Sequence, residues 1–228
     1  MKRLDLQMDS INHTMNCNKS SVKTSIDIES WNRKEQFFFF SDFEDPFFGF
    51  TTNVNCTIAH INAANGSFLL YCLHRALKAA NEVENFRYRI IDNLVYRFDS
   101  ISASLAVGRP NGTFGFACID YFDDENIFSE KALQEIDKVK LSNGLSLAAS
   151  RENSIHFSAI PWIDFTSITH ARRYSHPGSC PKISIGKVTE KDGIKTMPIS
   201  IHGHHALMDG YHVGLFIDKF QELLNDQV

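Results

Sequence analysis

Two adjacent histidines and an aspartate, His204, His205 and Asp209, hold the densest chemistry in the chain. An imidazole that is costly to charge stays neutral and keeps a ring nitrogen free to take a proton, as a general base does. An aspartate just ahead of a helix accepts the unpaired first-turn N–H groups and suits the helix dipole. The plainer readings are a satisfied polar histidine at a strand end and an ordinary helix cap. Histidines near an acid also hold metals, but adjacent side chains of a strand point to opposite faces. No Cys, His or acid partner stands at ligand spacing around this pair, so no metal is expected.

The flanking residues say how the pair is positioned. Upstream, apolar Met197, Ile199 and Ile201 alternate with Pro198, Ser200 and His202, the period of a half-buried strand. If the extended run reaches residue 205, His205 shares the apolar face while His202 and His204 face the other way. Downstream, Val213, Phe216, Ile217, Phe220, Leu223 and Leu224 recur at helical spacing. Gly210 lets the chain turn tightly between the two.

Earlier elements follow the same rules. Trp31 to Phe40 reads as a short helix capped near Ser30, followed by an aromatic cluster. Four consecutive phenylalanines, Phe37 to Phe40, cannot all face one core, so some line a pocket or an interface. Phe47 to Ile58 reads as a strand, and Ser67 to Asn81 as a core-packed helix. Asn85 to Ile90 and Leu94 to Phe98 read as strands joined at the Asp92-Asn93 turn. Leu105 to Val107 and Thr113 to Ile119 are further strands, and Ile127 to Val139 is an amphipathic helix. In the stretch Ile155 to Trp162, Ile155, Phe157 and Ala159 share one strand face and His156 and Ser158 the other. Arg172 to Gly178 is a loop, Pro181 to Lys187 a strand, and Asp192-Gly193 a hairpin turn. Strands with few helices suggest a mixed sheet with helices on one face.

Composition sets the bounds. The 228 residues, 43% hydrophobic and 22% charged, fit a single globular domain over 26–228 behind a polar arm at 1–25. Ile26 and Ile28 alternate as an edge strand would. A net charge of −4 argues against a nucleic-acid partner, and no apolar run is long enough to cross a membrane. Five scattered cysteines without a CxxC pair read as reduced thiols of a cytoplasmic protein. The Asn12 and Asn18 sequons are at chance level without a secretory route.

Four stretches then resemble one family. His204-His205-Ala206-Leu207-Met208-Asp209-Gly210 matches the HHxxxDG signature of CoA-dependent acyltransferases, and Tyr211-His212-Val213 continues it as in chloramphenicol acetyltransferases. Trp31-Asn32-Arg33-Lys34-Glu35-Gln36-Phe37 is similar to that family's W-x-R-K-E-H-F, with Gln36 in place of histidine. Ser158-Ala159-Ile160-Pro161-Trp162 resembles S-A-x-P-W, and Pro181 to Lys187 resembles P-x-x-T-M-G/A-K. Between residues 99 and 150 the match is loose, and Gly108 stands where the family carries bulky aromatics.

The resemblance implies an α/β two-layer sandwich, a mixed β-sheet with helices packed on one face. It implies a homotrimer with sites at subunit interfaces, moving acetyl from acetyl-CoA to a hydroxyl of chloramphenicol, an antibiotic-resistance activity. Carried over, His205 is the general base and Ser158 the oxyanion donor. Arg33 pairs with Asp209 to hold the loop, Ser184 supports an ordered water, and Phe39, Phe40 and Phe48 line the acceptor pocket. Transfer is then direct, with no acyl-enzyme. The alternatives are the same transfer to another hydroxyl acceptor, and a non-catalytic trimeric scaffold.

Overall fold

The computed structural model describes residues 21–145, 151–172 and 178–226. In chain order the elements are β1 (Lys23–Ser25), α1 (Lys34–Ser41), β2 (Phe47–Asn55), α2 (Thr57–Asn62), α3 (Phe68–Glu82), β3 (Tyr88–Ile91), β4 (Leu94–Phe98) and β5 (Ser102–Gly108). They continue as β6 (Phe114–Ile119), α4 (Glu125–Leu141), β7 (Ser154–Ala159), β8 (Lys182–Ile185), β9 (Thr189–Lys191), β10 (Ile194–His204) and α5 (Gly210–Asn225).

The main sheet runs β2-β10-β8-β7-β5-β6, with β9 paired to β10. The β5–β7 and β7–β8 pairs are parallel and the others antiparallel, so the sheet is mixed, as expected. Strand parity decides its two faces. Leu105, Ile155, Phe157, Ile183, Ile185, Met197, Ile199 and Ile201 are buried in one core with Leu73 and Leu77 of α3, Phe128 of α4, and Phe216 and Phe220 of α5. Burial of such side chains contributes about 1.5–3 kcal/mol each, which is why the helices settle on this face. Ser104, His156, Ser158, Lys182, Ser184, Ser200 and His202 occupy the intervening positions and so point the other way.

Local chemistry sets the ends. Ser67 caps α3 by accepting from the Leu70 N–H at 3.3 Å, and Asp124 caps α4 by accepting from Asn126 and Ile127, both at 2.9 Å. Asp92 and Asn93 take φ of 50° and 63° between β3 and β4, as a tight hairpin requires.

Several boundaries differ from the sequence reading. The strand read over Phe47 to Ile58 stops at Asn55, because Asn55 Oδ1 accepts from the Thr57 N–H at 2.9 Å and starts a turn into α2. Ser30 does not cap α1. Its hydroxyl donates to Asp27 Oδ2 at 2.9 Å within a 3-10 turn over Ile28–Ser30, and Arg33 takes the N-cap position instead. Glu84–Arg87 is a second 3-10 turn, so the strand expected from Asn85 opens at Tyr88. The edge strand is at Lys23–Ser25, paired with β4, rather than at Ile26 and Ile28. Of the arm expected over 1–25, residues 1–20 lie outside the described residues, as do Asn12, Asn18, Arg173, His176 and Pro177. Among the described residues no helix is long and apolar enough to cross a membrane.

Candidate active site

Strand β10 is buried from Met197 to His204, and the chain turns out of it at His205. The turn is tied on three sides. The His205 N–H donates to the Pro46 carbonyl at 2.7 Å, fixing the turn to the start of β2. The buried Arg33 donates from Nη1 to Asp209 Oδ2 at 2.8 Å and from Nη2 to the His205 carbonyl at 3.2 Å. One planar guanidinium therefore holds both ends of the loop, a task its fixed fork suits better than a lysine would.

Asp209 is the N-cap of α5. Its Oδ1 accepts from the Tyr211 N–H at 3.0 Å, and His212 Nδ1 lies 2.8 Å from the same oxygen. Burial works against this carboxylate, but the Arg33 hydrogen bond and the charges of His212 and Arg33 outweigh it. The carboxyl is held below its ordinary range. Its partners are Arg33, Tyr211 and His212 rather than the His205 ring, so Asp209 ties the loop.

The His205 imidazole lies between two phenyl rings. Phe40 stacks on it face to face, with centroids 3.8 Å apart and planes 7° apart, and Phe48 leans on it at 4.5 Å. Its Nδ1 is buried without a hydrogen-bond partner among the described residues. Phe39 is placed differently: it is 62% exposed and meets Phe40 and Phe43, at 5.0 and 5.2 Å. His204 accepts the Ala206 N–H at its Nδ1, 3.3 Å away. Burial, with the neighbouring His205, pushes His204 down to about 4, so it is neutral near pH 7.

Ser158 and Ser184 are elsewhere. Both line a cavity of about 490 Å³ over the sheet face opposite the helices. Strand register puts Ser158, Ser184, Ser200 and Thr51 in one rung across β7, β8, β10 and β2. Thr51 Oγ1 donates to Ser200 Oγ at 3.1 Å, whereas Ser184, fully buried, leaves its Oγ without a partner among the described residues. A buried hydroxyl in that state is one that ordinarily has a partner.

One chain does not bring His205 and Ser158 together. His205 lies five residues along β10 from Ser200, about 17 Å, and Ser158 is two strands away from Ser200, about 10 Å. The two are therefore roughly 19 Å apart, and His205, Phe39, Phe40 and Phe48 are not among the residues lining the cavity.

The cavity also holds residues that sequence reasoning passed over. His156 and Lys182 form the rung beside Ser158 and Ser184, and His170, Trp162, Phe114 and Phe116 line the same cavity. The usable signal was the i, i+2 pairing of His156 with Ser158 and of Lys182 with Ser184, which puts four polar side chains on one sheet face. Burial, with the charges of His202, Lys182 and Arg172, pushes His170 down to about 4. His156 is raised, chiefly by its hydrogen bond to Cys180. Among the described residues no group of three or more His, Cys, Asp or Glu could hold a metal.

Chemically, the arrangement supplies an imidazole in an apolar sleeve and, separately, a cavity lined by Ser158 and Ser184. The chain is similar to known proteins in both sequence and fold. The sequence profile of the chloramphenicol acetyltransferase family matches residues 22–221. Chloramphenicol acetyltransferase 3 of Escherichia coli is 25% identical over 90% of this chain and 98% of its own length. The chloramphenicol acetyltransferase of Campylobacter coli is 28% identical over 89% and 98%. A solved chloramphenicol acetyltransferase superposes with a TM-score of 0.84 at 34% identity, over 90% of this chain and all of that one. The dihydrolipoamide acetyltransferase of Azotobacter vinelandii shares the fold alone, with a TM-score of 0.63 at 17% identity. The chain belongs to the chloramphenicol acetyltransferase family.

Proposed function

We propose that this chain transfers the acetyl group of acetyl-CoA directly to a hydroxyl of chloramphenicol, as a homotrimer whose active sites lie between copies. The observation that carries the reading is the His205 turn. An imidazole pressed between Phe40 and Phe48, with both ends of its loop held by Arg33, is built for one position. His205 takes the hydroxyl proton as the oxygen attacks the thioester carbonyl. Ser158 donates a hydrogen bond to the oxygen that becomes negative, a contribution of about 3–4 kcal/mol in such sites. A C–O bond forms, the C–S bond breaks, and His205 returns the proton to the departing CoA thiolate. Ser184 supports a water beside Ser158, and Arg33 with Asp209 holds the loop.

The separation of His205 from Ser158 supports a site shared between copies, with His205 from one and Ser158 from the next. Exposed Phe39, Phe43 and Phe50 support it further, since they carry apolar surface outward close to the His205 turn, at 62%, 47% and 49% exposure. In this reading Phe40 and Phe48 act by shaping the His205 site, and Phe39 by covering the acceptor from its own subunit's edge. The scattered cysteines support a cytoplasmic location. The test is acetylation of chloramphenicol by the purified chain with acetyl-CoA, read as ester product by mass, together with its mass in solution. Ester from a trimer supports the reading; a folded trimer that acetylates other alcohols but not chloramphenicol moves the acceptor.

A further inference from the structure

The floor of the cavity is ordered in rungs. Ser104, His156 and Lys182 form one rung across β5, β7 and β8, and Ser158 and Ser184 stand on the next. Beyond them lie Gly108 and Phe114, paired on β5 and β6. Along this floor the lining passes from cationic to hydroxyl to apolar. No aspartate or glutamate is among the lining residues.

Lys182 is the unusual member. Its Nζ donates to the Ala171 carbonyl at 3.1 Å, and among the described residues no carboxylate forms an ion pair with it. Cys180 and then Asp45 act on it through space, and Asp45 is already bound by Arg172. Burial and then Arg172 push the Lys182 ammonium below its ordinary range. Two more polar atoms there lack partners among the described residues: His170 Nε2 and Ser184 Oγ, the latter on a fully buried side chain. Beyond its bond to the Ala171 carbonyl the ammonium keeps N–H donors to spare, beside two polar atoms that lack partners among the described residues.

We propose that the Lys182 end of this cavity binds an anionic group, a carboxylate or a phosphate, carried by the hydroxyl acceptor. The proposal rests on the acyl-transfer reading, which places the reacting hydroxyl at the Ser158 rung. The Lys182 rung is two residues further along the strand, about 7 Å. A further acceptor, used beside chloramphenicol and filling this end of the cavity as well, is thus a hydroxyl compound with its anion about 7 Å from the hydroxyl. The apolar wall of Phe114, Phe116 and Trp162 holds its ring or chain. Lys182 and His170 donate to the anion. Chloramphenicol carries no ionised group, so it leaves this end of the cavity unmatched.

The test compares para-(hydroxymethyl)benzoate, its methyl ester and para-(hydroxymethyl)phenyl phosphate as acceptors, with chloramphenicol alongside. The native enzyme should favour the carboxylate or the phosphate over the ester by at least about tenfold in kcat/KM, as a charge-assisted hydrogen bond allows. Which of the two anions wins names the group. In Lys182→Met the preference should fall towards one, with the change in acceptor KM and not in acetyl-CoA KM. Equal use of acid and ester by the native enzyme overturns the proposal, whatever the variant does. A preference that survives Lys182→Met overturns it, and so does a rise confined to acetyl-CoA KM, which would assign the lysine to CoA. If no acceptor is acetylated, chloramphenicol included, the acyl-transfer reading fails. Calorimetry then still decides the anion site. Tighter binding of acid than ester, lost in Lys182→Met, supports it, and equal binding overturns it.

Discussion

Mixing two inactive variants should restore activity if each active site is shared between copies. His205→Ala removes the base, and Ser158→Ala removes the oxyanion donor. Each alone should lose about two or more orders of magnitude in kcat. Within one chain the two positions are roughly 19 Å apart by strand geometry, much too far to act on one carbonyl. In a ring of three with head-to-tail interfaces, a site is intact when one neighbour supplies His205 and the other supplies Ser158. Random assembly of equal amounts makes about one interface in four intact. The assay is CoA thiol release with chloramphenicol after the variants are unfolded together and refolded, against each refolded alone. Recovery near one quarter of the native rate is the expected result. A mixture no more active than its parents, from refolded trimers, would refute the shared site and the spacing argument beneath it.

Further predictions follow from single contacts. Arg33→Met removes both ties of the His205 loop, at 2.8 and 3.2 Å, and should cost about 1.5–3 kcal/mol of stability with a fall in kcat; urea melts and turnover that both match the native chain would argue against the clamp. His204 has a folded value of about 4 against an ordinary 6.5, so its contribution is intact above pH 6.5 and is lost as pH falls through about 4. Stability should therefore drop by up to about 3 kcal/mol over that window, and His204→Asn should flatten the drop; an unchanged pH dependence of the urea midpoint would contradict the assignment. A Cβ on Gly203 would sit 2.7 Å from Met208 Cγ inside the core. Gly203→Ala should thus cost about 1–3 kcal/mol, and an unchanged melt would mean that Met208 can step aside.

The sheet was legible because its strands obey a period of two. Ile155, Phe157, Ile199 and Ile201 announce a core face, and His156, Ser158, Ser200 and His202 announce the other. The turns at Asp92-Asn93 and Asp192-Gly193 were readable from residue type, since positive φ selects them. The start of α1 was not, because the nearest capping residue, Ser30, bonds to Asp27 instead. Nor did physics alone pair Arg33 with Asp209 across 176 positions of sequence. That link came from the family likeness, as no local pattern encodes so distant a contact. Phe37 to Phe40 show the limit of composition: an eight-residue helix sends Phe37 into a core, Phe40 onto His205 and Phe39 out to the surface. Lys182 and His170 escaped notice because a lone charge on a strand and a histidine in a loop look like solvated residues until the fold puts them over one cavity.

The proposed role of His205 is to remove a proton from a hydroxyl during acetyl transfer. It is tested most directly by CoA thiol release from acetyl-CoA, with and without chloramphenicol, for the native chain and His205→Ala. Release that requires chloramphenicol and disappears in a folded His205→Ala is the predicted result. Release that persists near the native rate in His205→Ala would contradict the account.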